Sequence, residues 1–319
     1  MAPPFRNDPD GLLAVADRHE KATARTIEAL LVSLRANLPQ DEVQRLLEAG
    51  HVFDLEDRIP WADVFAMPLA KSMGDDTAER FLATMVDAAA APELFTIVNP
   101  YAVAAARQQA ADLVVAVRDS TRKAVRHIVT SSVRGRYTPA QAARLIANVV
   151  GLDPRRAQAL ANYEAAMRQV VEGRASRSTL RRAGMRLPDT RRGVDHAVSR
   201  YSSRLLRDRA ETIARTEVMR AANRGLQESW AEAARRGLMD VNVVRREWVV
   251  TYDDRTCEAC APMGGQVVGF DAPFVSSLRR VGGEDVPVPV PTTTVTPPLH
   301  PRCRCTMILL MDWTGTAVA

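Results

Sequence analysis

Residues 236–252 read RGLMDVNVVRREWVVTY, and they divide the chain into two kinds of sequence. Upstream, apolar residues recur at helical spacing through stretches rich in Ala and Arg. From Val241 to Tyr252 the residues become β-branched and aromatic, with Val244, Trp248, Val250 and Tyr252 on one strand face. Downstream, Gly264-Gly265 lies between short apolar runs and reads as a hairpin turn. Val286 to Pro291 alternates Val and Pro and must be extended, and Thr306 to Met311 reads as a final strand. The pattern predicts a mainly α fold with a small C-terminal β-rich unit, an α+β arrangement of long helices followed by a short β region.

The helical part is punctuated by its own signals. A pattern from Leu12 to Leu38 carries Leu12, Val15, Ile27, Leu30, Leu31 and Leu34 on one face, and Pro39 closes it. A shorter helix from Gln40 to Ala49 ends at Gly50. Others are expected within Trp61–Ala90, with a break near Gly74, and from Tyr101 to Val133. Thr138-Pro139-Ala140-Gln141 combines an N-cap, Pro at the first helical position and the capping-box Gln. Asp153-Pro154 repeats the device for a helix reaching Val171. Residues 173–193 mix Arg, Ser, Gly and Pro and read as a linker or exposed arm. A long helix from Val194 to Arg236 follows, with Val198, Tyr201, Leu205, Met219, Leu226 and Trp230 among its apolar positions.

Of the 319 residues 46% are hydrophobic and 25% charged, which excludes a disordered chain and leaves room for two domains. No apolar run is long enough to cross a membrane, and the first residues lack the basic and apolar regions of a secretory signal. The net charge of +5 is unevenly spread: residues 1–100 sum to −8, residues 101–250 to +15 and residues 251–319 to −2. Only Lys21, Lys71 and Lys123 are lysines among 43 basic residues. Codon bias explains an Arg-over-Lys preference but not its segregation along the chain. Arg forms bidentate bonds to phosphate and carboxylate, so the basic middle is a candidate contact for nucleic acid or an acidic protein. Its densest cluster is Arg174, Arg177, Arg181, Arg182, Arg186, Arg191 and Arg192.

All four cysteines lie in the last quarter: Cys257 and Cys260 with two residues between them, then Cys303 and Cys305, with His300 just ahead of them. A Cys-x2-Cys turn aims two thiolates at one point, as a tetrahedral metal requires, and Cys303 and Cys305 would share a face if extended. Five candidate ligands thus compete for four positions around a structural Zn2+. Buried free thiols and a disulfide are the alternatives. Four protein ligands would close the site to substrate, and no His-Glu-x-x-His motif occurs, so a catalytic zinc is not expected.

Read in order, Ala214-Arg215-Thr216-Glu217, Ala222-Asn223, Gly225 and Trp230 lead into Asp254-Arg255-Thr256-Cys257 and Cys260. Gly265, Phe274 and Pro297-Pro298-Leu299-His300-Pro301-Arg302-Cys303-Arg304-Cys305 complete a pattern that resembles the phage Mu F-type head morphogenesis family, the minor capsid proteins of tailed phages. The resemblance runs from roughly Arg122 to Leu310. It divides the chain into an acidic helical region (1–98), a basic helical part of the Mu F-like domain (99–240) and its β-rich Cys/His terminal unit (241–319).

The resemblance implies a low-copy virion component near the portal vertex, assembled in the host cytoplasm and assisting procapsid assembly and DNA packaging or delivery. Its implied partners are the portal protein, the major capsid or scaffold protein and packaged double-stranded DNA, with no membrane. Arg215, Glu217, Asp254 and Arg255 are expected to form an ion-pair network joining the long helix to the Cys-x2-Cys turn, a structural role. No enzymatic activity is expected, since there is no Gly-x-Ser-x-Gly elbow and His300 is the only histidine after His196. The competing functions are a capsid maturation protease and a zinc-containing DNA-binding or nuclease protein of the head module.

Overall fold

The computed structural model describes residues 8–51, 55–59, 61, 64, 76–90, 93, 95–133, 137–174, 191–251, 256, 258–281 and 284–311. Helices come first: α1 (Pro9–Ala36), α2 (Gln40–Glu48), α3 (Leu55–Arg58), α4 (Ala78–Ala88), α5 (Pro100–Val133), α6 (Pro139–Val149), α7 (Pro154–Val171) and the 45-residue α8 (Arg191–Arg235). Strands follow among the described residues: β1 (Arg245–Val249), β2 (Val267–Gly269), β3 (Phe274–Val281), β4 (Glu284–Thr294) and β5 (Thr306–Leu310). The mainly α architecture with a small C-terminal β unit is therefore as the residue pattern requires. Both written helix starts form. Thr138 and Gln141 close a reciprocal capping box, and Asp153 accepts from the Arg156 amide.

By its contacts the chain forms two compact units, one of residues 28–73 and 112–210, the other of residues 1–27, 74–111 and 211–319. The first is helical, with α2 packed on α6. Two arginines organise its interior. Arg35 donates to the carbonyls of Asn148 (2.9 Å) and Val150 (3.2 Å), satisfying acceptors that the end of α6 leaves without a helical partner. Arg209 donates to the Gly151 carbonyl at 2.6 Å and the Ser120 hydroxyl at 2.5 Å. Burial pushes each guanidinium down to about 10, with the nearby Asp153 opposing the shift at Arg209.

The second unit carries the sheet. β1 lies between β2 and β5, antiparallel to both, in the order β2-β1-β5. β3 and β4 make a separate two-stranded ladder, irregular between Ser276 and Leu278. The expected strand of residues 241–252 is shorter, because residues 237–243 are spent turning the chain. Gly237 takes φ +73° and the Asn242 amide bonds to Asp240 Oδ1. Gly265, at φ +76°, does not join two strands directly; it joins the 3-10 turn Ala261–Met263 to β2. The core of this unit gathers Trp230, Trp248, Phe270, Phe274, Met307 and the sulfurs of Cys260, Cys303 and Cys305. Trp248 and Phe274 meet edge to face at 5.2 Å.

Gly225 shows how tightly α8 is fitted there. A Cβ at this position would lie 2.3 Å from the Met85 carbonyl oxygen of α4, a backbone atom that cannot swing aside. Gly225→Ala is expected to destabilise this unit by about 1–3 kcal/mol, read as a lower thermal midpoint by calorimetry. An unchanged midpoint would show that the two backbones are not in this contact.

Candidate metal centre

The β1–β5 pairing creates the centre. Trp248 opposes Met307 and Val249 opposes Thr306, and just beyond the ladder the Thr251 hydroxyl donates to the Arg304 carbonyl at 3.5 Å. Cys260 ends the segment after β1, and the amide of Met263 bonds back to its carbonyl at 2.9 Å as the 3-10 turn begins. His300 and Cys303 sit on one tight turn, with the Cys303 amide bonded to the His300 carbonyl at 3.2 Å. That turn needs a left-handed residue, and it is Arg302 rather than a glycine, at φ 62°. Two hydroxyls of α8 hold it. The Arg302 amide donates to Thr216 Oγ1 (3.0 Å), and its Nε donates to Thr212 Oγ1 (3.1 Å).

Cys260, His300 and Cys303 bring their ligand atoms within 4.8 Å of one another, a group that could hold a metal ion. Cys260 Sγ lies 3.7 Å from Cys303 Sγ. Two zinc–sulfur bonds at the tetrahedral angle would set sulfurs about 3.8 Å apart. His300 Nε2 lies 3.0 Å from Cys260 Sγ, so an ion would open that pair by roughly half an ångström. The imidazole is already oriented as a ligand. Its Nδ1 lies 2.8 Å from the Pro301 carbonyl, which only accepts, so the proton resides on Nδ1 and the Nε2 lone pair faces the thiols.

The thiols are buried, and no disulfide joins Cys260, Cys303 and Cys305. Cys303 is the sulfur whose acidity is enhanced. Thiol hydrogen bonds from Cys260 and Cys305 pull its pKa well below the ordinary value against the effect of burial, and the Cys305 amide lies 3.5 Å from the same sulfur. Cys260 is pushed up, first by sharing its proton with Cys303 and then with Cys305. Cys305 is also raised, by Cys303 and burial, although its contact with Cys260 and the indole of Trp248 pull the other way. Crowded sulfurs of this kind exchange protons for a cation when one is supplied. Cys305 lies beside Cys260 and Cys303 but outside the three-atom group with His300, and Cys257 lies outside the described residues.

The motif residues of α8 recur every seven positions on one helical face: Thr216, Asn223 and Trp230. Thr216 holds the Arg302 turn, Asn223 Nδ2 donates to the Cys305 carbonyl (3.2 Å) as well as to that of Met219 (2.9 Å), and Trp230 is fully buried. Arg215 turns the other way, to Asp17 and Glu20 of α1, and Glu217 pairs with Arg220 and accepts from Gln109 at 3.1 Å. Asp254 and Arg255 lie outside the described residues, as do Arg177, Arg181, Arg182 and Arg186. Arg191 and Arg192 begin α8, and Arg174 is exposed and paired with Glu172.

Sequence reading missed Arg246, the charged member of the buried face it assigned to Val244, Trp248 and Val250. It is 0% exposed and donates to the carbonyls of Val295 (2.6 Å) and Ala272 (2.5 Å) and to Gln227 Oε1 (3.1 Å). Its guanidinium also sits 5.2 Å from the Phe274 ring, and burial pushes it down to about 10 against the nearby Asp271. The strict alternation of β1 was the signal that could have found it.

Compared with known proteins, residues 189–308 match the family model described as Phage Mu protein F like protein. No curated protein and no solved structure matches the chain. The matched segment begins just before α8 and ends within β5, so it takes in the Thr216–Asn223–Trp230 face and the Cys/His group together. This part of the chain is similar to the Phage Mu protein F like family.

Asn223→Ala removes the tie between α8 and the Cys305 carbonyl. It is expected to cost about 1–3 kcal/mol and to speed labelling of Cys303 and Cys305 by a thiol reagent. Unchanged labelling would mean that the contact does not hold the cysteine segment.

Proposed function

We propose that the protein is a minor capsid protein of a tailed phage, a low-copy, portal-associated component that assists procapsid assembly and DNA packaging or delivery. The observation that carries this reading is the Mu F-like match over residues 189–308, with its motif residues set on one face of α8 against the Cys/His segment. Its partners on this reading are the portal protein, the major capsid or scaffold protein and packaged double-stranded DNA. The +15 balance of residues 101–250 supports contact with a polyanion or an acidic protein surface through phosphate or carboxylate bonds without base readout. The role is structural and assigns no catalytic residue. Among the described residues, no helix is long and apolar enough to cross a membrane. Quantitative mass spectrometry of procapsids and mature virions tests the proposal. A few copies per particle are expected, and complete absence from both would overturn it.

The metal of the Cys/His centre is zinc in this reading, bound by Cys260, His300 and Cys303 with either Cys257 or Cys305 as the fourth ligand. Bound zinc supplies no reaction here; it ties the chain after β1 to the chain before β5, which in small zinc modules is worth on the order of 10 kcal/mol. Elemental analysis should find about one zinc per chain. Cys260→Ser and Cys303→Ser should each abolish it, and of Cys257→Ser and Cys305→Ser only one should. Metal-free protein of undiminished thermal stability would refute the assignment.

A further inference from the structure

The first half of α8 sorts its charges by side. Asp195 and Asp208 are the only carboxylates between Arg191 and Ala210, and both turn onto α7. Arg168 reaches Asp195 Oδ1 at 3.4 Å, and Arg156 pairs with Asp208. Between these pairs the Tyr201 ring lies against that of Tyr163, with centroids 4.5 Å apart. The contacts step backward along α7 as they step forward along α8, so the two helices run antiparallel. Each acidic group of this stretch thus meets a guanidinium in the seam.

The basic groups are left outside. His196, Arg200, Ser203, Arg204 and Arg207 are all exposed. At 3.6 residues per turn they fall within about a third of the helix circumference, on one face. Among the described residues, no ion pair or hydrogen bond holds Arg200, Arg204 or Arg207. The exposed Glu211 is the next residue on this face and closes it. A merely solvated helix face alternates signs so that neighbouring turns pair; here three arginines follow one another with no acid between them.

The same face narrows the kind of partner. From Arg200 to Arg207 the helix rises about 10 Å. Over that length a nucleic-acid duplex presents roughly three phosphates on each strand. Guanidinium and hydroxyl groups are donors that phosphate oxygens accept. No large apolar side chain of residues 191–210 is exposed among the described residues, so a protein partner would find no anchor there. Tyr201, half-buried against Tyr163, offers no platform on which unpaired bases could stack.

We propose that the exposed face of α8 from His196 to Arg207 docks the sugar–phosphate backbone of double-stranded DNA, through Arg200, Arg204 and Arg207 with Ser203 between them, without regard to base sequence. The contact lies on a regular helix rather than on the arginines from Arg174 to Arg186. The inference rests on the reading of residues 101–250 as a polyanion contact, and it names the surface and the polyanion.

Fluorescence anisotropy of the full chain with a labelled duplex of about 24 base pairs, measured across a range of salt concentrations, tests it. Replacing Arg200, Arg204 and Arg207 together by Gln should weaken binding about tenfold or more at roughly 100 mM salt and make the salt slope shallower by about 2.7. Replacing Arg107, Arg118 and Lys123, exposed on α5, removes the same charge and should leave the slope unchanged. Both variants should keep the parent thermal midpoint, since every substituted position is exposed. A duplex of unrelated sequence should bind as tightly as the first. Equal losses in the two triple variants would reduce the contact to net charge and overturn the proposal. So would loss confined to Arg181→Gln and Arg182→Gln, tighter binding of polyglutamate or of single-stranded DNA than of the duplex, or no binding by the parent chain. The copy number in virions is a separate readout, so failure here leaves the capsid reading standing, and absence from virions leaves this surface to be judged by its own titration.

Discussion

The C-terminal unit depends on one face of α8. Thr216, Asn223 and Trp230 stand seven residues apart, so two turns of helix separate each from the next and all three meet the same neighbour. The first holds a left-handed turn at Arg302, the second binds the Cys305 carbonyl, and the third fills the apolar core beneath the sheet. Without that face the His300–Cys305 segment would lose the bonds that hold its turn and its Cys305 carbonyl to the helix. A three-stranded sheet with strands of three to five residues is too small to enforce a local geometry unaided.

Buried and half-buried arginines recur as the fastening device of this chain. Arg35 and Arg209 bind carbonyls at the end of α6 in one unit, and Arg246 binds carbonyls flanking β3 and β4 in the other. Each takes backbone acceptors rather than a direct carboxylate partner. A planar guanidinium with five donors can bridge several chain segments at once, which an ammonium on a flexible stem does less well. The chain's preference for Arg over Lys is thus put to structural use in these three places. Glu164 departs from the pattern, because its guanidinium partner satisfies only one of its two oxygens.

Much of the local structure was legible in the residues. The capping box at Thr138, the N-cap at Asp153 and their Pro-led helix starts form as written, because capping is decided within four residues of chain. The Cys/His group was legible as a candidate centre, since Cys-x2-Cys and His-x2-Cys spacings constrain ligand directions locally. The partners of Arg215 were not. Asp17 is 198 positions away in the chain, and nothing in the neighbourhood of Arg215 points to α1 rather than to Asp254 or Arg255. Arg246 was passed over because a charge in a strand normally faces water, although the alternation of β1 sets it on the buried face between Val244 and Trp248.

The amino-acid order by itself determined the fold class, the helix limits set by proline, glycine and capping residues, and the kinship of the segment that ends in the paired cysteines. These follow from periodicity and from interactions that span a few residues. The tertiary structure alone decided which atoms converge: Cys260 beside Cys303, Thr216 beneath Arg302, and Arg168 beside Asp195. Each of these meetings joins residues between 27 and 86 positions apart. Contacts at that range are selected by the burial of apolar surface over the whole unit, which no short stretch of sequence encodes.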